Sequence, residues 1–440
     1  DTQYEVVKSQ KGNDLILFNG YTYIKTGINV WSCSTRNPNC KAKLELGLDG
    51  VIIQIDNAHC HPPKKNQSWL TERQNRRRVC ALLRKTFDPF QDLDETEFVN
   101  TFRLGKDTVR ILAEDLTQYI PKARRSDGIS ITTKILTTLA FFATGSHQSI
   151  VGQSAINTVS QATVSRAVRQ VTEALNKLYE KYVHWPTRRE ERDKIKTEFY
   201  KKFGIPGVLG CIDGTHVTII KPQIHEERHY NRKGFHSLNV MIICDSNLDI
   251  LCVDSSNPGS VNDSEVWQNH PLSSYLADLS NNGEQLFLLG DVGYPLMNNV
   301  MTPILNAVEG TPQHHYHTKH VAARTTMERC ISVLKSRFRC LLAARPMHYD
   351  PVTAGKMVNA CCVLHNIANK NHAPVPPLSY EEASAESLRQ QQIEEELVAN
   401  AETSLENANP ELLTGRALQQ ALIERLWIER EKLLRNAEQL

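Results

Sequence analysis

No apolar run in this sequence is long enough to span a bilayer, and no secretory signal segment is found, so no membrane partner is expected. Excess charge of either sign is also lacking. Lys plus Arg number 51 against 49 Asp plus Glu, a net charge of +2, so the total does not announce a nucleic-acid binder and the local distribution has to carry that argument. A disulfide framework is missing too: the 11 cysteines are odd in number and scattered through long segments, the pattern of a reducing compartment. What is present is a 440-residue chain with 40% hydrophobic residues, enough for substantial cores in about two to four units.

The chemistry-bearing stretch runs from about 205 to 335. Val208 to Ile220, Ser237 to Cys244 and Leu248 to Val253 are β-branched, apolar runs with turn residues near Asn247, the composition of a strand meander. Asn257-Pro258-Gly259-Ser260 is expected to break the sheet. A helical pattern follows over Val261 to Leu279, then a fourth strand over Gln285 to Leu289, then a helix over Thr325 to Phe338 with Met327, Ile331 and Leu334 on one face. Three strands, a helix and a fourth strand is the order of an RNase H-like core, in which the first and fourth strands are neighbours. That layout brings Asp213 on the first strand to Asp291 at the end of the fourth, and the following helix adds Glu328. Hard carboxylate oxygens are the ligands that Mg²⁺ or Mn²⁺ needs, and three converging carboxylates without a cation repel one another. Two such ions, roughly 4 Å apart, activate an attacking oxygen and stabilise the leaving one at phosphorus. Asp263 is an auxiliary candidate ligand, placed at the start of the intervening helix, where Asn262 or Asp263 would cap it. Arg324 and Arg329 bracket Glu328 and are suited to steer a phosphate or orient the carboxylate. His314, His315, His317 and His320 are expected in a flexible loop before it.

IDGTH, NPGSVNDSEVW, LLGDVGYP, MERCISVLKSRFR and the late ACCVLHN together resemble transposases of the PIF/Harbinger superfamily and their domesticated nuclease-like descendants, over about residues 100 to 370. The resemblance implies a DDE nuclease fold, DNA strand transfer, Mg²⁺ or Mn²⁺, and Asp213, Asp291 and Glu328 as metal ligands. It also implies short terminal inverted repeats, a dimer or higher assembly that pairs two ends, and commonly a separate Myb-like accessory protein.

Residues 1–63 alternate as short strands around the hairpin signal Asn19-Gly20 and make a weak core by themselves. Zn²⁺ held by Cys33, Cys40, His59 and His61 would staple them. With Tyr23, Trp31, Cys33 and the His-x-His ending, the segment resembles a FLYWCH-type zinc finger, a module associated with DNA or protein binding. Cys60, between the two histidines, would point the other way.

Residues 64–100 form a basic linker or arm in which Arg76, Arg77 and Arg78 can neutralise phosphates or act as a nuclear import signal. Residues 101–203 read as a helical domain. A short element at Ser149 to Gly152, a turn, and a helix from Ala162 to Tyr179 capped by Ser160 have the layout of a helix-turn-helix. Gln161, Thr163, Ser165 and Arg166 would face the groove, with Val164 and Val168 packed inward. Inside the core region, Arg228, Arg232 and Lys233 lie on a basic loop near Asp213, and Lys335 and Arg337 continue a basic face after Glu328. After the core (204–370), residues 371–440 form an acidic, Gln-rich linker and a C-terminal helix with Leu418, Leu422 and Leu426 as a docking stripe.

The fold class expected is therefore α/β: an RNase H-like catalytic core, a helical flank with a helix-turn-helix, and a small β-rich zinc finger. The function expected is a nuclear DNA transposase or endonuclease that cleaves transposon ends and joins them to double-stranded target DNA. The alternative is a domesticated nuclear DNA-binding protein with the nuclease fold and no transposition.

Overall fold

The computed structural model describes residues 4–8, 13–19, 21–34, 40–47, 51–56, 58–61, 87–122, 128–153, 159–387 and 410–438. The chain divides into two compact units, Asp1–Thr86 and Phe87–Leu440. The basic arm with Arg76, Arg77 and Arg78 lies outside the described residues. Among the described residues, no helix is long and apolar enough to cross a membrane.

The first unit is a six-stranded antiparallel meander: β1 (Glu5–Lys8), β2 (Asp14–Phe18), β3 (Tyr21–Lys25), β4 (Val30–Cys33), β5 (Lys43–Leu46) and β6 (Ile52–Asp56). The expected hairpin is there. Phe18 pairs with Tyr21, and Asn19 takes φ 48°, the left-handed conformation that a tight two-residue turn requires and Asn tolerates. Its core is small, built from Ile16, Phe18, Tyr23, Leu44 and Ile52.

The second unit begins with a helical region whose main elements are α1 (Glu95–Phe102), α2 (Lys106–Thr117), α3 (Ile131–Thr144), α4 (Gln148–Gln153), α5 (Gln161–Lys177) and α6 (Arg189–Phe203), with one-turn helices at Pro89–Asp92 and Tyr179–Tyr182. Asp94 and Glu97 form a reciprocal capping box that fixes the start of α1. Ser160 has the extended backbone of an N-cap, but its hydroxyl meets the Thr163 hydroxyl at 2.9 Å and no backbone N–H.

A five-stranded sheet follows, in the order β11-β10-β7-β8-β9. β7 (Val208–Thr218), β8 (Ser237–Cys244) and β9 (Ile250–Pro258) are the antiparallel meander read from the sequence. β10 (Phe287–Leu289) runs parallel beside β7, so the first and fourth strands are neighbours, and β11 (Val300–Met301) adds an edge that the sequence pattern did not show. β8 is central and buried on both faces. Leu238, Val240, Ile242 and Cys244 join one core and Met241 and Ile243 the other, the period of two that a strand imposes. β9 carries on through Asn257 and Pro258, where a break was expected. Pro is tolerated there because β9 is an edge strand and the proline ends it.

The helix expected over Val261 to Leu279 is two helices, α7 (Asp263–Asn269) and α8 (Pro271–Asn281). Pro271 has no N–H to continue the first and holds His270 extended, at φ −81° and ψ 135°. The helix bearing Glu328 is longer than expected. α9 (Pro312–Arg337) spans 26 residues and includes His314, His315, His317 and His320, so these are not in a loop. His320 is buried, with Nε2 3.0 Å from the Met301 carbonyl oxygen.

α10 (Pro351–Lys370) explains the late ACCVLHN motif as scaffolding. The Asn366 side chain accepts from the Ile250 N–H and donates to the Ile250 carbonyl, clamping the start of β9. α11 (Pro410–Glu438) packs on α9 through Leu422, Ile423 and Leu426. Leu418, expected in that stripe, is 38% exposed, and Ile423 takes its place. One continuous core runs from Phe98 through the sheet to Leu426, so the helical flank, the sheet and the C-terminal helix fold as one body.

Candidate active site and metal centre

The register of two strands makes the acidic site. Leu289 on β10 pairs with Cys211 on β7 in a parallel ladder. Two residues further along each chain, Asp291 arrives beside Asp213. Asp213 sits inside β7, opposite Ile242, and its Oδ1 accepts the Gly214 N–H at 2.8 Å. Asp291 leaves the end of β10, and its Oδ1 accepts the Gly293 N–H at 2.9 Å. Both are buried, at 5% and 8% exposure. Glu328 comes from α9, its side chain 42% exposed, beside the face that buries Met327 and Leu334 as the sequence indicated.

Arg324, one helical turn before Glu328, stands among all three. Its Nη2 lies 3.1 Å from Asp213 Oδ2 and 3.5 Å from Asp291 Oδ2, and its Nη1 lies 2.7 Å from Glu328 Oε1. Sequence reasoning placed this arginine beside Glu328 but not between the two aspartates. The i,i+4 spacing signals only the helical pair.

Asp263 belongs to the same site. It is the first residue of α7, and its Oδ1 accepts from Asn239 Nδ2 at 2.6 Å. Neither it nor Asn262 makes a side-chain cap hydrogen bond. Its carboxylate lies against the backbone beside Asp213, where a Cβ on Gly214 would fall 2.1 Å from Asp263 Oδ1. Gly214→Ala should therefore push Asp263 away and cost about 1–3 kcal/mol by overpacking. A thermal melt checks the stability loss, and an unchanged melting temperature would contradict this packing.

Tyr294, which sequence reasoning missed, is buried beside the acids. Its hydroxyl has no hydrogen-bond partner among the described residues. Burial raises its pKa well above the ordinary value, and the charges of Asp263, Asp213 and Asp291 add to that. The tyrosine of a GDVGYP motif at a strand end was the available signal.

Burial pushes Asp213 up to about 8; Arg324 opposes this, while Asp291 and Asp263 add to it. Asp291 is raised by the same burial, against Arg324 and backbone N–H groups. Burial pushes Asp263 up to about 6, opposed by Asn239 and by Lys233, while Asp291 adds to the rise. Carboxyls that lose this much hydration gain from a nearby cation, and an all-oxygen donor set suits Mg²⁺ or Mn²⁺. The residues fit such an ion.

The basic candidates divide. Arg228 and Arg232 are exposed and Lys233 half-buried, on the loop joining β7 to β8. On α5, Gln161, Ser165 and Arg166 are exposed and Thr163 half-buried, while Val164 and Val168 are buried as expected. Lys335 and Arg337 are corrected: they do not form a basic face. Lys335 pairs with Glu386 at 2.8 Å. Arg337 is 3% exposed and donates to Asn369 Oδ1 at 2.6 Å and to the Ala373 carbonyl at 3.0 Å. Both residues tie the core to the segment that follows it.

In the first unit, Cys33 at the end of β4, Cys40, and His59 and His61 after β6 bring one ligand atom each to within 4.8 Å of one another. Cys33 Sγ is 3.2 Å from His61 Nε2, and Cys40 Sγ is 3.4 Å from His59 Nδ1. The Tyr23 hydroxyl lies 2.9 Å from His59 Nε2, the other ring nitrogen, and the Tyr21 ring stacks on His59 at 3.5 Å. Such a partner holds a ligating imidazole in one tautomer and orientation. Burial raises the Cys40 thiol, but N–H groups of Ala42 and Cys60 and the His59 ring outweigh it and bring the thiol down to about 6. Cys60 is exposed and is not one of the four. Two thiols and two imidazoles gathered in this way fit a tetrahedral Zn²⁺.

Residues 212–366 match the model of the DDE superfamily endonucleases, and residues 6–61 match the FLYWCH zinc finger domain. The chain is 35% identical over 288 residues to "Putative nuclease HARBI1" of Bos taurus, covering 64% of this chain and 81% of that protein. It is 34% identical over 288 residues to the Homo sapiens protein of the same name, with the same coverage of 64% and 81%. It is 25% identical over 294 residues to "Protein ALP1-like" of Arabidopsis thaliana, covering 62% of this chain and 71% of that protein. No solved structure matches the chain.

Proposed function

The chain belongs to the Harbinger-type DDE superfamily endonucleases and carries a FLYWCH zinc finger domain, and from that premise we propose that it is a divalent-metal-dependent endonuclease acting on double-stranded DNA in the nucleus. One observation carries the reading. Asp213 on β7 and Asp291 just past the end of the parallel neighbour β10 meet at one guanidinium, onto which Glu328 is also delivered from α9. The strand order, with β10 parallel beside β7 of an antiparallel meander, supports an RNase H-like core.

Asp213, Asp291 and Glu328 would hold Mg²⁺ or Mn²⁺. When bound, the ions lower the pKa of an attacking water and offset charge on the leaving oxygen. The aspartates supply fixed oxygens, since each has Oδ1 anchored to a backbone N–H and Oδ2 turned to the site. Asp263, held by Asn239, adds charge beside Asp213 and would be an auxiliary candidate ligand. Arg228, Arg232 and Lys233 would contact the DNA backbone, and Lys233 lies close enough to the acids for its charge to act on Asp263. Exposed Gln161, Ser165 and Arg166 on α5, with Thr163, form the reading face of a proposed helix-turn-helix with α4.

Two outcomes of this chemistry remain distinct. A transposase cleaves transposon ends and lets the freed 3′ hydroxyl attack target DNA, as a dimer or higher assembly with a Myb-like accessory protein. A domesticated nuclease or nuclear DNA-binding protein does not join ends. The names of the relatives favour the second reading at least as much as the first. The experiment is to incubate the full chain with Mn²⁺, a labelled duplex bearing the inverted repeats found beside its gene (or random duplex where there are none) and a plasmid target. Nicked duplex without joined product is expected for the domesticated nuclease, and label transferred to plasmid for the transposase. Intact DNA under both conditions, with binding retained, would overturn the nuclease reading.

A further inference from the structure

We propose that Arg324 is a displaceable counter-cation of the triad. Its guanidinium holds the place of a divalent ion, is expelled as the ion enters, and then takes a DNA phosphate, so that metal and DNA bind cooperatively. The proposal rests on the reading of Asp213, Asp291 and Glu328 as a metal site.

The geometry is specific. Each aspartate uses Oδ1 on a backbone N–H, of Gly214 and Gly293, and turns Oδ2 toward one nitrogen of Arg324. Those two Oδ2 atoms are the carboxylate oxygens with which Asp213 and Asp291 would hold a divalent ion. Mg²⁺ binds oxygen at about 2.0–2.1 Å, whereas Nη2 stands 3.1 Å and 3.5 Å from them. An ion drawn to both oxygens therefore enters the space that the guanidinium fills, and two cations there repel. Arg324 side-chain exposure is 12%, so the group is held inside the site and not out in solvent.

Departure is mechanically simple. Arg324 and Glu328 are one turn apart on α9, and the helix need not move for the long arginine side chain to swing outward. Once displaced from the carboxylates, a guanidinium at the rim of an acidic metal site is suited to bind a phosphate in a bidentate manner. DNA supplies that phosphate. Ion entry alone loses the charge-assisted contacts to Asp213, Asp291 and Glu328, while ion entry with DNA regains contacts of the same kind. Metal loading is thus weak without substrate and stronger with it, and the coupling is reciprocal.

The test is Mn²⁺ binding to the full chain, followed by the EPR signal of free Mn²⁺, with and without a short duplex. The native protein is compared with Arg324→Gln, Arg324→Lys and Asp213→Asn. Melting temperatures are taken in EDTA and in Mn²⁺. Without DNA, Arg324→Gln should bind Mn²⁺ about fivefold tighter or more, with Arg324→Lys between it and the native protein. Duplex should tighten Mn²⁺ binding to the native protein and leave the Gln variant almost unchanged. The Gln variant should melt lower than native in EDTA, and Mn²⁺ should remove the difference. Equal or weaker Mn²⁺ binding by Arg324→Gln, with native binding lost in Asp213→Asn, overturns the proposal and leaves the metal site standing. Mn²⁺ binding by neither native nor variant, or binding indifferent to Asp213→Asn, overturns both. If Arg324→Gln does not fold with or without Mn²⁺, Arg324→Lys decides, and affinity no tighter than native rejects the proposal.

Discussion

Asp291→Asn should lower DNA cleavage by about a thousandfold or more, since it removes an anionic ligand whose charge the reaction needs, while its shape and backbone hydrogen bond are kept. The same exchange should not harm folding. Asp291 is a buried carboxylate that shares one guanidinium with Asp213 and Glu328, and its charge raises the pKa of Asp213. An amide there relieves like-charge repulsion, so the melting temperature in metal-free buffer should be equal to native or higher. Single-turnover cleavage of a labelled duplex and a thermal melt on the same preparation separate the two effects. Asp263→Asn is the comparator. Asp263 lies against the Gly214 backbone and accepts from Asn239, whereas Asp291 shares the Arg324 guanidinium with Asp213, so loss of Asp263 should cost less than that of Asp291. Native-like cleavage by Asp291→Asn, or a deeper loss from Asp263→Asn, would reassign the triad.

The second large effect is expected in the other unit. Cys33→Ser should abolish Zn²⁺ binding and unfold Asp1–Thr86 while Phe87–Leu440 stays folded. The reason is the size of the core. Ile16, Phe18, Tyr23, Leu44 and Ile52 are few residues to offset the entropy of ordering six strands. A structural Zn²⁺ in small domains contributes an apparent roughly 10–16 kcal/mol, which is large against any stability such a core supplies. Removing one thiolate also breaks the Cys33–His61 contact that joins the end of β4 to the chain after β6. Native mass spectrometry of the full chain should show one Zn²⁺ lost, with the dispersed amide signals of the first unit. The second unit has its own continuous core, and its melting transition should be unchanged. Persistence of the first unit's signals without zinc would show a sheet that stands alone.

Much of the site was legible because it rests on strands. Apolar runs such as Ser237 to Cys244 mark a strand buried on both faces, and the order of four such runs places the first beside the fourth. That order alone pairs Asp213 with Asp291. The Cys/His cluster was legible for a related reason: cysteine and histidine gathered in a segment too small to support itself suggest a metal staple, and Cys33, Cys40, His59 and His61 converge.

What was not legible depended on tertiary partners. Lys335 and Arg337 read as a basic helical face, since sequence does not show the carboxylate of Glu386 or the polar end of α10 that receive them. Four histidines before Glu328 read as a loop because His and Thr have weak helical preference. Burial of Tyr316 and His320 and the packing of α11 make that stretch helical. Arg324 looked like a neighbour of Glu328 and turned out to bridge three chain segments far apart in sequence. Pro271, by contrast, was readable and underweighted. A proline inside a helical pattern ends the helix before it, as it does between α7 and α8.

The most direct test of the whole account is the nicking of supercoiled plasmid by the full chain in Mg²⁺, in Mn²⁺ and in EDTA, with plasmid binding measured in parallel. Nicking in Mn²⁺ or Mg²⁺ that stops in EDTA and is lost in Asp213→Asn is the result expected of three carboxylates holding divalent metal for phosphodiester cleavage. Nicking that persists in EDTA, or tight plasmid binding with no nicking under any of the three conditions, would contradict it.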